Sequence, residues 1–323
     1  MAWSVSASRP DVRFDGSTGP KVGVFADCTD RSMPILELAK AIEERGFTGL
    51  FLNEHTHIPV DSPRSAYPPG GPIPERYARF WDPYIALSFV AARTSLEVGP
   101  TVSLVAEHDA IALAKAIATL DVLSEGRFVL GVGWGWNREE FEDHGFPANR
   151  RAQVVGETLA VMKALWTQEV AAFEGEYLRL SPSRSWPKPR QQPHPPILLG
   201  VPPSTRNFDR IASWADGWVP MGNALYDPAF PHHLNQLRDA WQRADRGPGG
   251  PRISVLMTPA TRTESSNAMT AVQTGPDQMA DAVDRARSFG VERLMVAGLG
   301  HGPAEKILPR LDALAGAVEK ALR

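Results

Sequence analysis

Apolar and polar positions follow two periodicities along most of the chain. Short apolar runs, typical of buried parallel strands, are separated by segments in which apolar residues recur at helical spacing. The runs predict strands over 21–25, 48–53, 95–104, 128–132, 197–200, 217–220, 253–257 and 293–297. The helical segments are 33–45, 83–93, 110–123, 150–166, 205–214, 228–244, 277–289 and 303–322. This alternation, without a second hydrophobic core, predicts a (β/α)8 TIM barrel with insertion loops, and a doubly wound sheet is the alternative.

Three segments depart from the alternation. Residues 57–80, which follow the second predicted strand, are rich in proline and glycine, and loops of this length are usually functional lids or disordered segments. We refer to residues 57–80 as the lid. Residues 170–180 resemble a small hairpin, and 181–196 form a proline-rich crossing. We expect residues 1–20 to be a flexible N-terminal extension and 21–323 to form one barrel domain.

The charge, cysteine content and hydropathy of the chain limit the kinds of molecule that it is expected to bind. The net charge of −3 gives no electrostatic attraction for nucleic acid or an anionic membrane. Cys28 is the single cysteine, which excludes a disulfide framework and a thiolate-rich metal site. The chain lacks a bilayer-spanning apolar run, and its first residues lack the apolar region of a signal peptide. We therefore expect a cytoplasmic protein with a small-molecule substrate and neither nucleic-acid nor membrane partners; a homodimer stays open.

Candidate chemistry follows the strands, because ligands of parallel α/β folds bind at the carboxyl ends of the strands. The strand 128–132 ends in glycines, which allow a ligand to approach the backbone closely. The second strand ends in Asn-Glu-His-Thr-His, residues 53–57, where His55 can exchange a proton near neutral pH. The alternatives are a metal site built on His55 and His57, or a loop histidine with a structural role. Later strand ends offer no completing set of ligands, so we expect no metal.

Several other side chains are candidates for contacting ligands. Gly200 ends a strand, and Ser204 and Thr205 begin the next helix; this arrangement favours a phosphate, with a plain strand–helix turn as the alternative. Trp134 and Trp136 flank Gly135 and are expected to stack on a ring or substrate, or to pack the loop. Tyr77 in the lid, together with His57, is expected to line a substrate pocket.

Five motifs occur in an order that resembles a known family. They are NEHTHIPV (53–60), YARFWDP (77–83), AKAIATLDVLSEGRFVLGVGWGWN (114–137), PKPRQQPHPPILLG (187–200) and ADGWVP (215–220). Together they resemble the bacterial-luciferase-like superfamily of flavin- or deazaflavin-dependent TIM-barrel enzymes, and their detailed form is nearer the branch that uses coenzyme F420. The resemblance implies an F420-dependent oxidoreductase that transfers a hydride between the deazaflavin C5 and a small organic substrate. An FMN-dependent monooxygenase and a non-catalytic ligand-binding barrel are the alternatives.

The resemblance also implies roles for individual residues. Glu54 and His55 match the acidic residue and histidine that lie against the cofactor ring, and so are the predicted catalytic residues. A cis peptide bond between Thr101 and Val102 is implied behind the ring, although an ordinary buried strand is the reading from the residues alone. The predicted cofactor-binding set is Glu54, His55, Thr101, Val102, Ser103, Gly133, Gly200, Val201, Ser204 and Thr205. Within it, Val201 replaces a glycine that the family usually has, and Pro100 replaces a threonine.

Overall fold

The computed structural model describes residues 19–68, 70–220, 224–257, 276–299 and 301–322. Its strands are β1 (Lys21–Ala26), β2 (Gly49–Leu52), β3 (Glu97–Pro100), β4 (Leu130–Val132), β5 (Ala171–Glu174), β6 (Arg179–Ser183), β7 (Ile197–Leu199), β8 (Gly217–Trp218), β9 (Arg252–Met257) and β10 (Arg293–Leu299). Eight of them form one parallel sheet in the order β3-β2-β1-β10-β9-β8-β7-β4, and β5 and β6 pair as a separate antiparallel hairpin. The predicted N-terminal extension falls almost wholly outside the described residues.

The two outer strands of this order meet and close the barrel. The Val129 N–H donates to the Val98 carbonyl at 2.9 Å, and the Val98 N–H donates to the Arg127 carbonyl at 3.0 Å. Gly99 stands at this seam because a Cβ there would lie 1.8 Å from the Val129 carbonyl oxygen. The prediction of a (β/α)8 barrel is confirmed, and the doubly wound alternative is wrong.

Helices surround the barrel. They are α1 (Ile35–Glu44), α2 (Pro83–Ala91), α3 (Ala110–Leu123), α4 (Arg138–Asp143), α5 (Arg151–Thr167), α6 (Thr205–Trp214), α7 (Phe230–Arg243), α8 (Pro276–Phe289) and α9 (Ala304–Leu322). Several begin at a side chain that accepts a hydrogen bond from the first turn, as Asp82, Asp109, Asn137 and Ser204 do. None of the described helices combines the length and apolar composition needed to cross a membrane.

The core has two parts. Apolar side chains between the strands and the helices form the larger cluster. A smaller cluster fills the inside of the barrel and is built from Phe51, Val129, Leu198, Val219, Leu256, Met295 and Ala297. The barrel interior is therefore packed, and ligand chemistry is confined to its mouth.

An ion network closes the opposite end, at the amino ends of the strands. The Arg293 guanidinium is fully buried, donates to Glu97 Oε2 at 2.7 Å and to Ser254 Oγ at 3.0 Å, and lies over the Phe51 ring. Lys21 Nζ donates to the other Glu97 oxygen at 2.7 Å. Burial alone would raise the pKa of Glu97, but Arg293 and Lys21 together lower it below its usual value. We refer to this network as the barrel floor.

The lid is attached to the mouth on two sides by charged side chains. On the side of β1, Arg76 pairs with Asp27 at 3.0 Å and Arg79 pairs with Asp30 at 2.8 Å. On the side of α4, Arg64 donates to Glu142 at 2.5 Å. The lid thus spans the mouth between these two anchor points.

Two local predictions need correction. The third strand was predicted over 95–104 but is continuous only over Glu97–Pro100; further along, Ser103 forms an isolated parallel bridge with Val132 of β4. Helix α4 was not predicted: it is short, and its residues Arg-Glu-Glu-Phe-Glu-Asp are almost all charged, so they give no apolar periodicity.

Candidate active site

Glu54 lies at the end of β2 with both carboxylate oxygens held by protein groups. Its Oε2 accepts hydrogen bonds from Ser103 Oγ and from the Leu104 N–H, each at 2.7 Å, and its Oε1 lies 2.8 Å from His108 Nε2. Burial alone would lower the pKa of His108, but the hydrogen bond to Glu54 and its negative charge raise it. Glu54 and Ser103, both predicted cofactor-binding residues, are therefore brought together and held rigidly at the mouth.

His55 is enclosed by aromatic rings and is held through both ring nitrogens. Its Nδ1 lies 2.6 Å from Glu140 Oε2, and its Nε2 accepts a hydrogen bond from the Trp136 indole N–H at 3.1 Å. This pattern assigns the proton of the neutral ring to Nδ1. The rings of Tyr77 and Phe80, both from the lid, lie 5.2 and 6.1 Å from it. Two predicted substrate residues, Tyr77 and Trp136, thus lie directly beside His55.

His57 lies further out and belongs to a more exposed group. Its Nε2 is 2.9 Å from Asp143 Oδ2, and its Nδ1 is 3.0 Å from Thr56 Oγ1, which also contacts His144 Nε2 at 2.8 Å. His55 and His57 therefore pair with different carboxylates. Among the described residues, no group of three or more side chains is arranged to hold a metal ion.

Glu107 is a buried carboxyl that sequence reasoning missed. It ends a single 3₁₀ turn, Val105–Glu107, and neither of its oxygens has a hydrogen-bond partner among the described residues if the neighbouring carboxyls are ionised. Burial, followed by the charges of Glu140 and Glu54, raises the pKa of Glu107 well above its usual range, and the nearby Thr56 hydroxyl lowers it only in part. Its sequence context, Ala-Glu-His-Asp, looks like an ordinary helix start and carries no signal of this environment.

The cis peptide bond lies between Thr101 and Val102, where the resemblance implies it. It carries the Val102 side chain over the ends of two neighbouring strands. A Cβ added at Gly133 would lie 2.4 Å from Val102 Cγ2, and one added at Gly200 would lie 2.5 Å from Val102 Cγ1. Gly133 was predicted to admit a ligand to the backbone and Gly200 to belong to a phosphate site, but at both positions Val102 fills the space beside the glycine.

This contact gives a prediction for stability. Gly133→Ala is expected to destabilise the fold by about 1–3 kcal/mol, because the added methyl group overpacks against Val102. Adding Val102→Ala in the same chain should recover most of that loss. Urea unfolding measures both, with Gly249→Ala as the control because nothing lies within 4 Å of a Cβ there. A Gly133→Ala variant as stable as the parent would contradict the contact.

The predicted phosphate subsite lies at the start of α6. Ser204 Oγ accepts from the Asn207 N–H at 3.2 Å and caps the helix, and Thr205 is the first helical residue. Val201 is fully buried, and its carbonyl accepts from the Trp218 indole at 2.9 Å. Val201 therefore serves the core through its side chain, and the exposed donors of this subsite lie on the helix turn.

A cationic cleft opens beside this helix. Its volume is about 620 Å³, and its lining comprises Arg64, Arg138, Arg151 and Arg210 with Trp134, Asn149, Pro202, Asn207 and one carboxylate, Glu142. The Arg210 guanidinium lies 5.6 Å from the ring centres of Trp134 and Trp214. Burial, followed by neighbouring positive charge, lowers the pKa of both Arg151 and Arg210. Crowded arginines favour an anionic ligand, and Trp134 lies in this cleft instead of beside His55.

The mouth of this barrel thus carries a buried histidine–carboxylate pair, a cis peptide bond and a cationic cleft. The match to the luciferase-like monooxygenase family spans residues 14–314, and the chain belongs to that family. The family includes enzymes that use F420 and enzymes that use FMN.

Individual relatives illustrate both kinds. An uncharacterised protein of Mycobacterium tuberculosis is 42% identical over 72% of this chain and 82% of its own length. The F420-dependent glucose-6-phosphate dehydrogenase of Nakamurella multipartita is 31% identical over 66% of this chain and 59% of its own. The FMNH2-dependent dimethylsulfone monooxygenase of Pseudomonas putida is 34% identical, over 32% of this chain and 29% of its own. The monooxygenase RslO1 of Streptomyces bottropensis shares the fold, with a TM-score of 0.73 and 20% identity over 93% of this chain and 98% of its own.

Proposed function

We propose that the protein is an F420-dependent oxidoreductase that transfers a hydride between the deazaflavin C5 and a small organic substrate. The observation that carries the proposal is the cationic cleft, to which four arginines contribute. F420 carries a phosphodiester followed by carboxylates, whereas FMN carries a single phosphate. The arginines match the more highly charged tail, because several cations around one anion are stabilised best when the anion also carries several charges.

The chain offers a place for each part of such a cofactor. The ring would lie at the mouth against Val102 and the cis peptide, near Glu54 and His55. The first phosphate would meet the N-terminal turn of α6 at Ser204 and Thr205, where N–H groups and the helix dipole favour an anion. The remaining charges of the tail would follow the arginines of the cleft.

His55 supplies the proton chemistry. When bound, F420 supplies a hydride donor or acceptor at C5 that reacts poorly with oxygen. In alcohol oxidation, the substrate O–H would take the place of the Trp136 N–H at His55 Nε2 and give its proton to that lone pair. In carbonyl reduction, the same nitrogen would return a proton to the new alkoxide. Glu140, which holds Nδ1–H, would stabilise the ring in either state.

The alternatives use the same mouth with different partners. An FMN-dependent monooxygenase would bind FMN at the same site and react with oxygen, and relatives of this kind support it as the second candidate. A barrel that only binds its ligand would tolerate the loss of both Glu54 and His55.

Fluorescence titration with three ligands tests the proposal. We expect F420 to bind at least about tenfold more tightly than FMN, a difference of ~1.4 kcal/mol or more. A deazaflavin that ends at the ribityl chain should bind more weakly than F420, because it lacks the anionic tail. Arg210→Met should weaken F420 binding and leave the tail-less ligand unaffected, with the exposed Arg184→Met as the matched control. Tighter binding of FMN than of F420 would reverse the proposal in favour of the monooxygenase.

A further inference from the structure

The buried position of Glu107 makes its ionised form energetically unfavourable. Only 5% of its surface is exposed, and both carboxyl oxygens are sealed from solvent. The carboxyl of Glu140 is its interacting neighbour, both through charge and as a hydrogen-bonding group, and Glu54 adds further negative charge. Two ionised carboxylates cannot hydrogen-bond to one another, whereas a carboxylic acid donates to a carboxylate. A proton on Glu107 lets one of its oxygens donate to the Glu140 carboxylate, so that this oxygen has a hydrogen-bond partner.

Of the residues that the structure describes, no charged group that faces Glu107 is placed to stabilise its ionised form. The nearest cationic candidate, His144 Nε2, is 3.9 Å from Glu107 Oε2, beyond hydrogen-bonding distance. Burial and the positive charge of His57 lower the pKa of His144, so it is mostly neutral near pH 7. Arg151 approaches from α5 but gives its hydrogen bond to the Gly135 carbonyl at 2.9 Å.

Glu140 connects Glu107 to His55. Glu140 is fully buried, and its Oε2 is 2.6 Å from His55 Nδ1 while its Oε1 accepts from the Thr56 N–H at 2.9 Å. A proton on Glu107 provides this carboxylate with a further donor and limits the pair to one negative charge. The position and charge of Glu140 in turn keep the His55 proton on Nδ1, so that Nε2 keeps the lone pair that accepts from the Trp136 N–H.

We propose that Glu107 is a protonated carboxylic acid at neutral pH and acts as a positioning residue, donating its O–H to Glu140 and so fixing the tautomer of His55. Its effect on turnover rests on the proposed function; its protonation does not. Glu107 is buried behind Glu140 and acts in this proposal through that residue. Loss of the Glu107 proton would place a second negative charge beside Glu140 and remove the donor, so the arrangement would fail on the alkaline side.

Infrared difference spectroscopy tests the protonation without any cofactor. The spectrum of the wild-type protein minus that of Glu107→Gln at pH 7 should show the C=O stretch of a carboxylic acid that shifts in D₂O. The exposed Glu37→Gln variant is the control and should give no such band. Absence of the acid band in the Glu107→Gln difference would overturn the proposal, whatever cofactor the protein uses.

Two further measurements test the positioning role. In Glu107→Gln the amide N–H still donates to Glu140 but does not titrate, so turnover with F420 should lose its alkaline decline and keep most of its neutral-pH rate. Glu107→Ala should lower kcat by about tenfold with little change in KM, and the ¹⁵N spectrum of His55 should show proton exchange between the two nitrogens. If all three proteins share one pH profile and one His55 tautomer, the positioning role is wrong. If F420 supports no turnover, the ¹⁵N comparison decides the role alone.

Discussion

Turnover is expected to fall by about 10²–10⁴-fold when His55 is replaced by asparagine, the range usual for loss of an acid–base group. Asparagine keeps an N–H that can donate to Glu140 Oε2, now 2.6 Å from His55 Nδ1, but it offers no second nitrogen that accepts a proton. The loss should therefore appear in kcat, while F420 affinity changes far less because, in the proposed function, the arginine cleft and α6 supply much of the binding. Steady-state kinetics and fluorescence titration on the same samples separate the two.

His57→Asn is the matched control for this prediction. His57 is partly exposed and pairs with Asp143 at the surface, away from the enclosed pocket of His55. Its replacement should affect apparent substrate affinity mildly and leave kcat close to the parent value. A His55→Asn protein with a lower melting temperature but unchanged turnover per folded molecule would show that His55 only packs.

Arg293→Met in the barrel floor is expected to cause the largest loss of stability, about 3–5 kcal/mol of unfolding free energy. The substitution leaves Glu97 partly buried with Lys21 as its remaining cationic partner at 2.7 Å. Adding Glu97→Gln should recover a large part of the loss, because a neutral amide then replaces the mostly buried carboxylate. Denaturant unfolding of the parent, both single variants and the double variant measures these free energies. The control is Arg243→Met, which removes an exposed ion pair with Asp209 and should cost less than about 1 kcal/mol of unfolding free energy.

The pH dependence of this effect has a defined sign. The pKa of Glu97 is lowered in the folded state, so its contribution to stability is present above its unfolded pKa and is lost as pH falls through the folded value. The difference between the parent and Arg293→Met should therefore be largest near neutral pH and shrink below about pH 4, where unfolded glutamates become protonated. An unchanged difference across that range would contradict the assigned role of Glu97.

The fold could be predicted from the sequence because the barrel elements are local and periodic. The sequence predicted helix α6 with its observed bounds, Thr205–Trp214. Both signals, the periodic apolar residues and the capping serine, come from residues next to one another in the chain. Helix α4 could not be found in this way, because its burial depends on packing of Phe141 and Glu140 against distant parts of the chain.

Only the site residues that lie together at one strand end could be predicted from the sequence. His55 was identified from its neighbours in sequence, but its partner Glu140 is 85 residues away and lies in the helix that periodicity missed. Glu107 gave no signal, because the charges that affect its protonation come from distant parts of the chain, Glu54 after β2 and Glu140 in helix α4. Gly133 was predicted to allow close approach of a ligand and Gly200 to form part of a phosphate site, but the group that lies against both positions in the structure is the Val102 side chain.

The lid and the barrel floor respond differently to dissolved salt. Two of the ion pairs that attach the lid, Arg64–Glu142 and Arg79–Asp30, each include a side chain that is more than half exposed, so mobile ions weaken them over a Debye length of about 8 Å at physiological ionic strength. The Arg293–Glu97 pair is shielded by the protein and is scarcely reached by those ions. A higher salt concentration should therefore loosen the attachment of the lid to the mouth of the barrel. The same change should have little effect on the barrel floor at the opposite end.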